Sequence, residues 1–312
     1  MCTSIEWRSD SFYFGRNMDI DYDFGQRVVI TPRNFPFAFR SAGELKTHFA
    51  FMGMAAVYEN YPLYAEAVNE KGLCMAGLNF PLNAFYPDNI RIGKENIAPF
   101  ELIPYFLGKY KSVKEVREGL SDIHIVNIPF SKEIPNTPLH FHIADRNEGI
   151  VLESTNDGLT VYENPVGIMT NNPTFDFHLQ NLLHYTNLSP LTPSGEGDTV
   201  HPFGKGLGAF GLPGDASSAS RFVKCAFLLK YAEKGRTQEE NVSRFFRILE
   251  NLSVVKGTIK TEKGEDHYTT YNCCMNADKG IYYYKAYDAY KVREVSFRQF
   301  NLESEKLIIK EK

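Results

Sequence analysis

The sequence predicts an α+β fold: one domain, residues 1–312, of stacked sheets covered by helices. Three observations lead there. Short runs rich in β-branched and aromatic residues crowd both ends of the chain. The helical patterns come in pairs rather than one after each strand, which argues against a parallel βαβ array. No repeat, low-complexity tract or linker divides the 312 residues, and a chain of that length can bury a large core.

In order, Ile5 and Trp7 mark a first strand and Phe12 to Arg16 a second, joined by a turn at Arg8-Ser9-Asp10-Ser11. Val28 to Ile30, Phe51 to Val57, Ala65 to Asn69 and Leu73 to Phe80 are further strands, the last two joined at Glu70-Lys71-Gly72. Pro99 to Lys109 is a helix whose proline suits a first turn. Ser112-Val113-Lys114-Glu115 opens a second helix with a capping-box pattern. Strands return at Leu139 to Ala144, Ile150 to Ser154 and Val166 to Met169, with a turn at Asn156-Asp157-Gly158. Phe175 to Tyr185 reads as helical. Residues 187–216 are rich in Gly, Pro and Ser without a period, and so long a loop is functional or packed against another subunit. Ser217 to Glu233 and Glu239 to Leu252 are helices, the latter opened by Thr237-Gln238-Glu239-Glu240. His267 to Met275, Gly280 to Tyr287 and Val292 to Phe297 close the chain as strands, with a hairpin turn at Asp278-Lys279-Gly280.

Hydrophobic content of 43% and charged content of 23% fit a soluble globular protein. A formal net charge of −4 gives no reason to expect nucleic acid or an anionic membrane as partner. No stretch approaches the roughly 18 apolar residues of a membrane span. Glu6, Arg8 and Asp10 interrupt any signal peptide, so the expected location is the cytoplasm. Five cysteines is an odd count, and a disulfide framework is not expected in a reducing compartment. Cys74 and Cys225 read as buried hydrophobes. Cys273 and Cys274 should point to opposite faces of one strand.

Cys2 is different. If Met1 is removed, one residue holds both a thiol and an α-amine with a pKa of roughly 7.7–8.0. That is a nucleophile with its own general base. The hairpin would return Arg16 and Asp19 to the first residue. Arg16 would favour the thiolate, and Asp19 would bond and orient the ammonium. A terminus usually frays, but this one starts directly in a strand and should be tied down. Other chemistry is weaker. His140 and His142 share a strand face with Asp145 nearby, a spacing that can bind zinc, but no third ligand stands out and a structural pair is the better reading. Gly204 to Gly208 lacks the ending of a P-loop.

Met-Cys-Thr at the start, Phe14-Gly15-Arg16-Asn17-Met18-Asp19, Asn69-Glu70-Lys71-Gly72-Leu73, Ala76 to Pro81, Thr170-Asn171-Asn172-Pro173, Gly211 to Asp215 and Ser220-Arg221-Phe222 follow one another in order along essentially the whole chain. On these motifs the chain resembles the choloylglycine hydrolases, the family of bile salt hydrolases and penicillin V acylases. The resemblance implies an N-terminal-nucleophile fold, an αββα four-layer sandwich of two antiparallel sheets. It implies catalysis by Cys2, Arg16, Asp19, Asn79, Asn171 and Arg221, with Asn79 and Asn171 flanking the scissile carbonyl. Arg221 alone would read as a surface salt-bridge residue. Met18, Tyr58, Phe130 and Ile134 align with the family's steroid-contacting wall. Asn79 resembles bile salt hydrolases, many penicillin V acylases having tyrosine there. The expectation is hydrolysis of glycine- or taurine-conjugated bile salts through a thioester, without metal or other cofactor, in a bacterial homotetramer. Penicillin V acylase activity is the alternative, and a non-catalytic ligand-binding relative a remoter one.

Overall fold

The computed structural model describes residues 1–194 and 204–310. Two large sheets form its centre, and every pairing within them is antiparallel. The six-stranded sheet runs Ile168–Met169, Cys2–Arg8, Phe12–Ile20, Tyr268–Asn276, Ile281–Ala286, Arg293–Ser296. The eight-stranded sheet runs Gly158–Glu163, Gly149–Thr155, Leu139–Ala144, Cys74–Asn79, Tyr61–Asn69, Phe51–Tyr58, Arg27–Thr31, Ile308–Ile309.

Side-chain alternation sorts the core into layers. Val28 and Ile30 join one cluster, which fills the space between the sheets with Cys2, Phe14, Met52 and Leu78. Val29, between them in sequence, joins the other cluster with Phe51 and Phe106. That second cluster lies under helices α1 (Leu102–Lys109) and α2 (Val113–Gly119). The far face of the six-stranded sheet is covered as well. Helices α3 (Phe175–Leu182), α4 (Ser218–Tyr231) and α5 (Gln238–Glu250) carry the apolar residues for it. Tyr13 packs its ring 6.4 Å from Phe245 of α5. Both sheets are thus covered on both faces, the four-layer αββα arrangement.

Most predicted elements are present, and the differences have local causes. The second strand continues past Arg16 to Ile20, because pairing with Tyr268–Asn276 holds it on its second edge. The strand Tyr61–Asn69 starts before Ala65. It follows a two-residue turn in which Glu59 and Asn60 have φ of 50° and 62°, the twist a tight hairpin prefers. The strand Gly158–Glu163 was not expected; it is an edge strand, exposed or half-buried along its length. Both capping boxes form at their donor ends: Ser112 accepts from Glu115 N and Thr237 from Glu240 N. The glutamates reach back to Lys111 N and Arg236 N, one residue beyond the usual partner. In the predicted 187–216 loop, residues 195–203 lie outside the described residues, and a 3₁₀ turn at Leu207–Ala209 is the regular piece described.

Candidate active site

The first hairpin builds the centre. Its register sets Cys2 opposite Met18 and Ser4 opposite Arg16. Cys2, Arg16 and Met18 then share the face turned toward the eight-stranded sheet. The gap between the sheets opens there into a cavity of about 370 Å³. Its wall includes Cys2, Arg16, Met18, Asp19, Tyr58, Asn79, Phe130 and Ile134, so eight of the ten predicted site residues meet in one space. Asn171 and Arg221 lie behind Cys2 and are buried.

Cys2 is the one cysteine of the five in that wall. Burial pushes the thiols of Cys74, Cys225, Cys273 and Cys274 upward, which keeps them protonated and inert. With Met1 attached, the nitrogen of Cys2 is a peptide amide, and it donates to Asn171 Oδ1 at 2.6 Å. The Met1 amine lies at the cavity, donating to Asp19 O at 3.0 Å and meeting His267 Nε2 at 2.7 Å. Burial lowers the pKa of that amine.

Arg16 is fully buried. It donates from Nη1 to Gly77 O at 2.7 Å, and the same nitrogen lies 3.7 Å from Glu66 Oε2. Burial opposes its charge, yet the neighbouring Cys2 sulfur, Tyr271 and Glu66 drive its pKa upward overall. Asp19 Oδ1 accepts from Thr269 Oγ1 at 2.6 Å. Its Oδ2 is buried with no partner, an acceptor aimed at nothing. Such a group costs free energy until a donor fills it.

Arg221 is a correction to the reading of the residue alone: it is 2% exposed, not a surface residue. It sits in the first turn of α4, where Ser217 caps the helix. Hydrogen bonds from Ser217 and Ser220 hold the Asp215 carboxyl down at about 2, which fixes the turn before the helix. Arg221 Nη1 donates to Cys2 O and, at 2.6 Å, to Thr3 Oγ1; Nη2 donates to Asn171 Oδ1 at 2.8 Å. Burial lowers its pKa. Asn171 Nδ2 donates to Asn79 O at 2.7 Å, so one carboxamide ties Cys2, α4 and the end of the strand Cys74–Asn79. His178 Nε2 donates to Asn171 O at 2.8 Å and its ring stacks on Phe222.

The outer wall is apolar. Phe130 is packed against Phe100 at 5.5 Å and Tyr61 at 5.7 Å, with the Arg40 guanidinium 4.9 Å from its centroid. Met18, Ile20, Leu63, Phe100 and Ile134 extend this apolar surface, as a site for a large apolar ligand requires, with polar groups such as Asp21, Asn136 and Thr137 among them. His140 is bonded to Glu153 and Thr170 O, and His142 to Ser4 and Asn164, which makes both part of the buried polar framework. Sequence reasoning passed over Glu66, Thr269 and His267. The signal was a buried-strand carboxylate at Glu66 and polar residues opening the strand Tyr268–Asn276.

Fold and site together define an N-terminal-nucleophile hydrolase: a two-sheet sandwich whose first strand carries a cysteine into a cavity. A model of the linear amide C–N hydrolases, choloylglycine hydrolase family, matches residues 2–310, and the chain belongs to that family. It is 44% identical to the bile salt hydrolase/transferase of Lactiplantibacillus plantarum, covering 99% of this chain and 96% of that protein. Identity to the bile salt hydrolase/transferase of Clostridium perfringens is 39%, over 98% and 95% of the two chains. Among solved structures, the C2A variant of the conjugated bile acid hydrolase from Clostridium perfringens matches with a TM-score of 0.94 at 38% identity, over 100% of this chain and 97% of that one. The penicillin V acylase of Agrobacterium tumefaciens matches with a TM-score of 0.80 at 18% identity, over 98% and 90%, a likeness of fold.

Proposed function

We propose that this chain hydrolyses the amide bond of glycine- or taurine-conjugated bile salts, with Cys2 as nucleophile after Met1 is removed. The observation that carries the reading is the meeting of Cys2, Arg16 and the unpartnered Asp19 Oδ2 at one end of an apolar-walled cavity. The names of the full-length relatives support the substrate class.

The freed α-amine of Cys2 inherits the Asn171 Oδ1 contact and turns to Asp19 Oδ2. It takes the thiol proton while Arg16 stabilises the sulfur anion. Sulfur attacks the amide carbon, and the Asn79 carboxamide donates to the oxyanion. The ammonium gives its proton to the leaving nitrogen, the C–N bond breaks, and a thioester remains. The amine then takes a proton from water, hydroxide adds to the thioester, and collapse returns the thiol and releases the bile acid. Asn171 and Arg221 position Cys2 from behind. Met18, Tyr58, Phe130 and Ile134 hold the steroid.

Incubation with glycocholate and taurocholate tests this: release of glycine or taurine is expected, and no release at micromolar enzyme overturns it. Penicillin V run in parallel settles preference through the ratio of kcat/KM values. We further propose one catalytic domain over the whole chain, assembled as a homotetramer in a bacterial cytoplasm, with the 187–216 segment at the subunit contact. Among the described residues no helix is long and apolar enough to cross a membrane. Light scattering that finds only monomer would refute the assembly.

A further inference from the structure

Beneath Arg16 lies a group that the mechanism above does not use. Glu66 is fully buried between the sheets. Its Oε2 accepts from Tyr271 Oη at 2.9 Å and its Oε1 from Tyr282 Oη at 2.7 Å. Both tyrosines belong to the six-stranded sheet and are themselves buried. Arg16 Nη1 stands 3.7 Å from Oε2, beyond hydrogen-bond distance, because that oxygen is committed to Tyr271.

Arg16 therefore lies between the Cys2 sulfur and the Glu66 carboxyl; burial pushes the pKa of Glu66 up, while Arg16 and the two phenols pull against it. The nearest strong partner of Arg16 is neither that sulfur nor that carboxyl but Gly77 O at 2.7 Å. A carboxylate free to move in this dry space would close on the guanidinium as a bidentate pair and take its charge away from Cys2. The two phenols hold it back. We propose that Glu66, set at its distance by Tyr271 and Tyr282, is a positioning residue that fixes how much of the Arg16 charge reaches the Cys2 sulfur. The inference rests on the reading of Cys2 as nucleophile and adds the device that tunes it.

The charged and titratable groups facing the two ends are these. Around Cys2 stand Arg16 and Asp19 from the neighbouring strand, Arg221 from α4, Tyr22, and the chain's amine with His267 beside it. Around Glu66 stand Arg16, Tyr271, Tyr282 and Cys273. Among the described residues Arg16 stands in both sets, which makes it the route between them.

The experiment follows the rate of Cys2 alkylation by iodoacetamide against pH, located by peptide mass, in the mature enzyme and in two variants. Glu66→Gln removes the negative charge; its carbonyl oxygen still accepts from one phenol, and its amide nitrogen donates to the oxygen of the other. Its profile moves to lower pH by about one unit. Tyr271→Phe releases Oε2 to approach Arg16, and its profile moves the other way, by roughly half a unit. Two shifts of opposite sign are the result expected; a purely structural cluster would slow or unfold both variants alike. Unmoved profiles in folded variants, or shifts of one sign, overturn the inference while leaving Cys2 as nucleophile. Wild-type Cys2 that alkylates no faster than the four buried cysteines overturns both.

Discussion

Replacing Asn171 tests how the nucleophile is held. Asn171→Ala removes the acceptor for Cys2 N and for Arg221 Nη2, and the donor to Asn79 O. Asn79 is exposed at its strand end, so water can replace that bond. The other two donors are buried, one on a charged group. A buried polar group left unpaired costs about 1–3 kcal/mol, more when charged, which makes the loss about 3–5 kcal/mol in all. For a protein of this size that lowers Tm by roughly 5–10 °C. Arg221 keeps Thr3 Oγ1, Cys2 O and Ala216 O, so α4 stays docked and the variant folds. A nucleophile released from its orientation loses on the order of 100-fold in rate. Asn171→Asp separates the two effects. It keeps the Oδ1 acceptor for both donors but sets a carboxylate oxygen against Asn79 O, so stability recovers only in part, and a carboxylate beside the amine favours the ammonium. The base is then free only at higher pH, and the acid limb of the kcat/KM profile moves upward. Calorimetry and a pH–rate profile of each variant make the assay. Asn171→Ala with wild-type turnover, or Asn171→Asp with an acid limb moved downward, would refute the reasoning.

Three further outcomes are expected. Cys2→Ala abolishes turnover while circular dichroism and Tm stay within a few degrees of wild type, and the intact mass of active enzyme is short by one methionine; residual turnover in the variant would contradict the assignment. Phe130→Ala opens the apolar wall, raising KM for conjugated bile salts about tenfold with kcat little changed, as lost uniform binding does; a fall confined to kcat would place Phe130 elsewhere. His178 is buried and its pKa is pushed down to about 4. Its unfolded value is near 6.5, so between the two the unfolded chain binds the extra proton. The His178 contribution, about 3 kcal/mol, is complete above pH 6.5 and disappears as pH falls toward 4. Urea midpoints measured across that window should flatten in His178→Gln, and an unchanged slope would count against it.

The part of the site written in local sequence was legible. A turn at Ser9 to Ser11 between two apolar runs is enough to fold Arg16 and Asp19 back onto Cys2, and the hairpin register does so. Strand alternation likewise separated Cys273 from Cys274. The remainder depends on neighbours distant in the chain. Thr269 reaches Asp19 and Tyr271 reaches Glu66 because the strand Tyr268–Asn276 inserts beside the first hairpin, some 250 residues later, and no local pattern reports that pairing. Arg221 looked like a solvated helix residue because its acceptors, Cys2 O, Thr3 Oγ1 and Asn171 Oδ1, all come from other elements. Only the likeness to a known family set it beside Cys2, where its guanidinium lies.

The position of the Met1 amine has a practical side. That amine sits against Asp19 and His267 on the cavity wall, so peptide joined ahead of it starts within the site. An affinity handle fused in front would put added chain beside Cys2. At the other end, Ile308–Ile309 is stitched to the outer edge of the eight-stranded sheet, and Lys310 beyond it is exposed. Handles, linkers and fusion partners belong there.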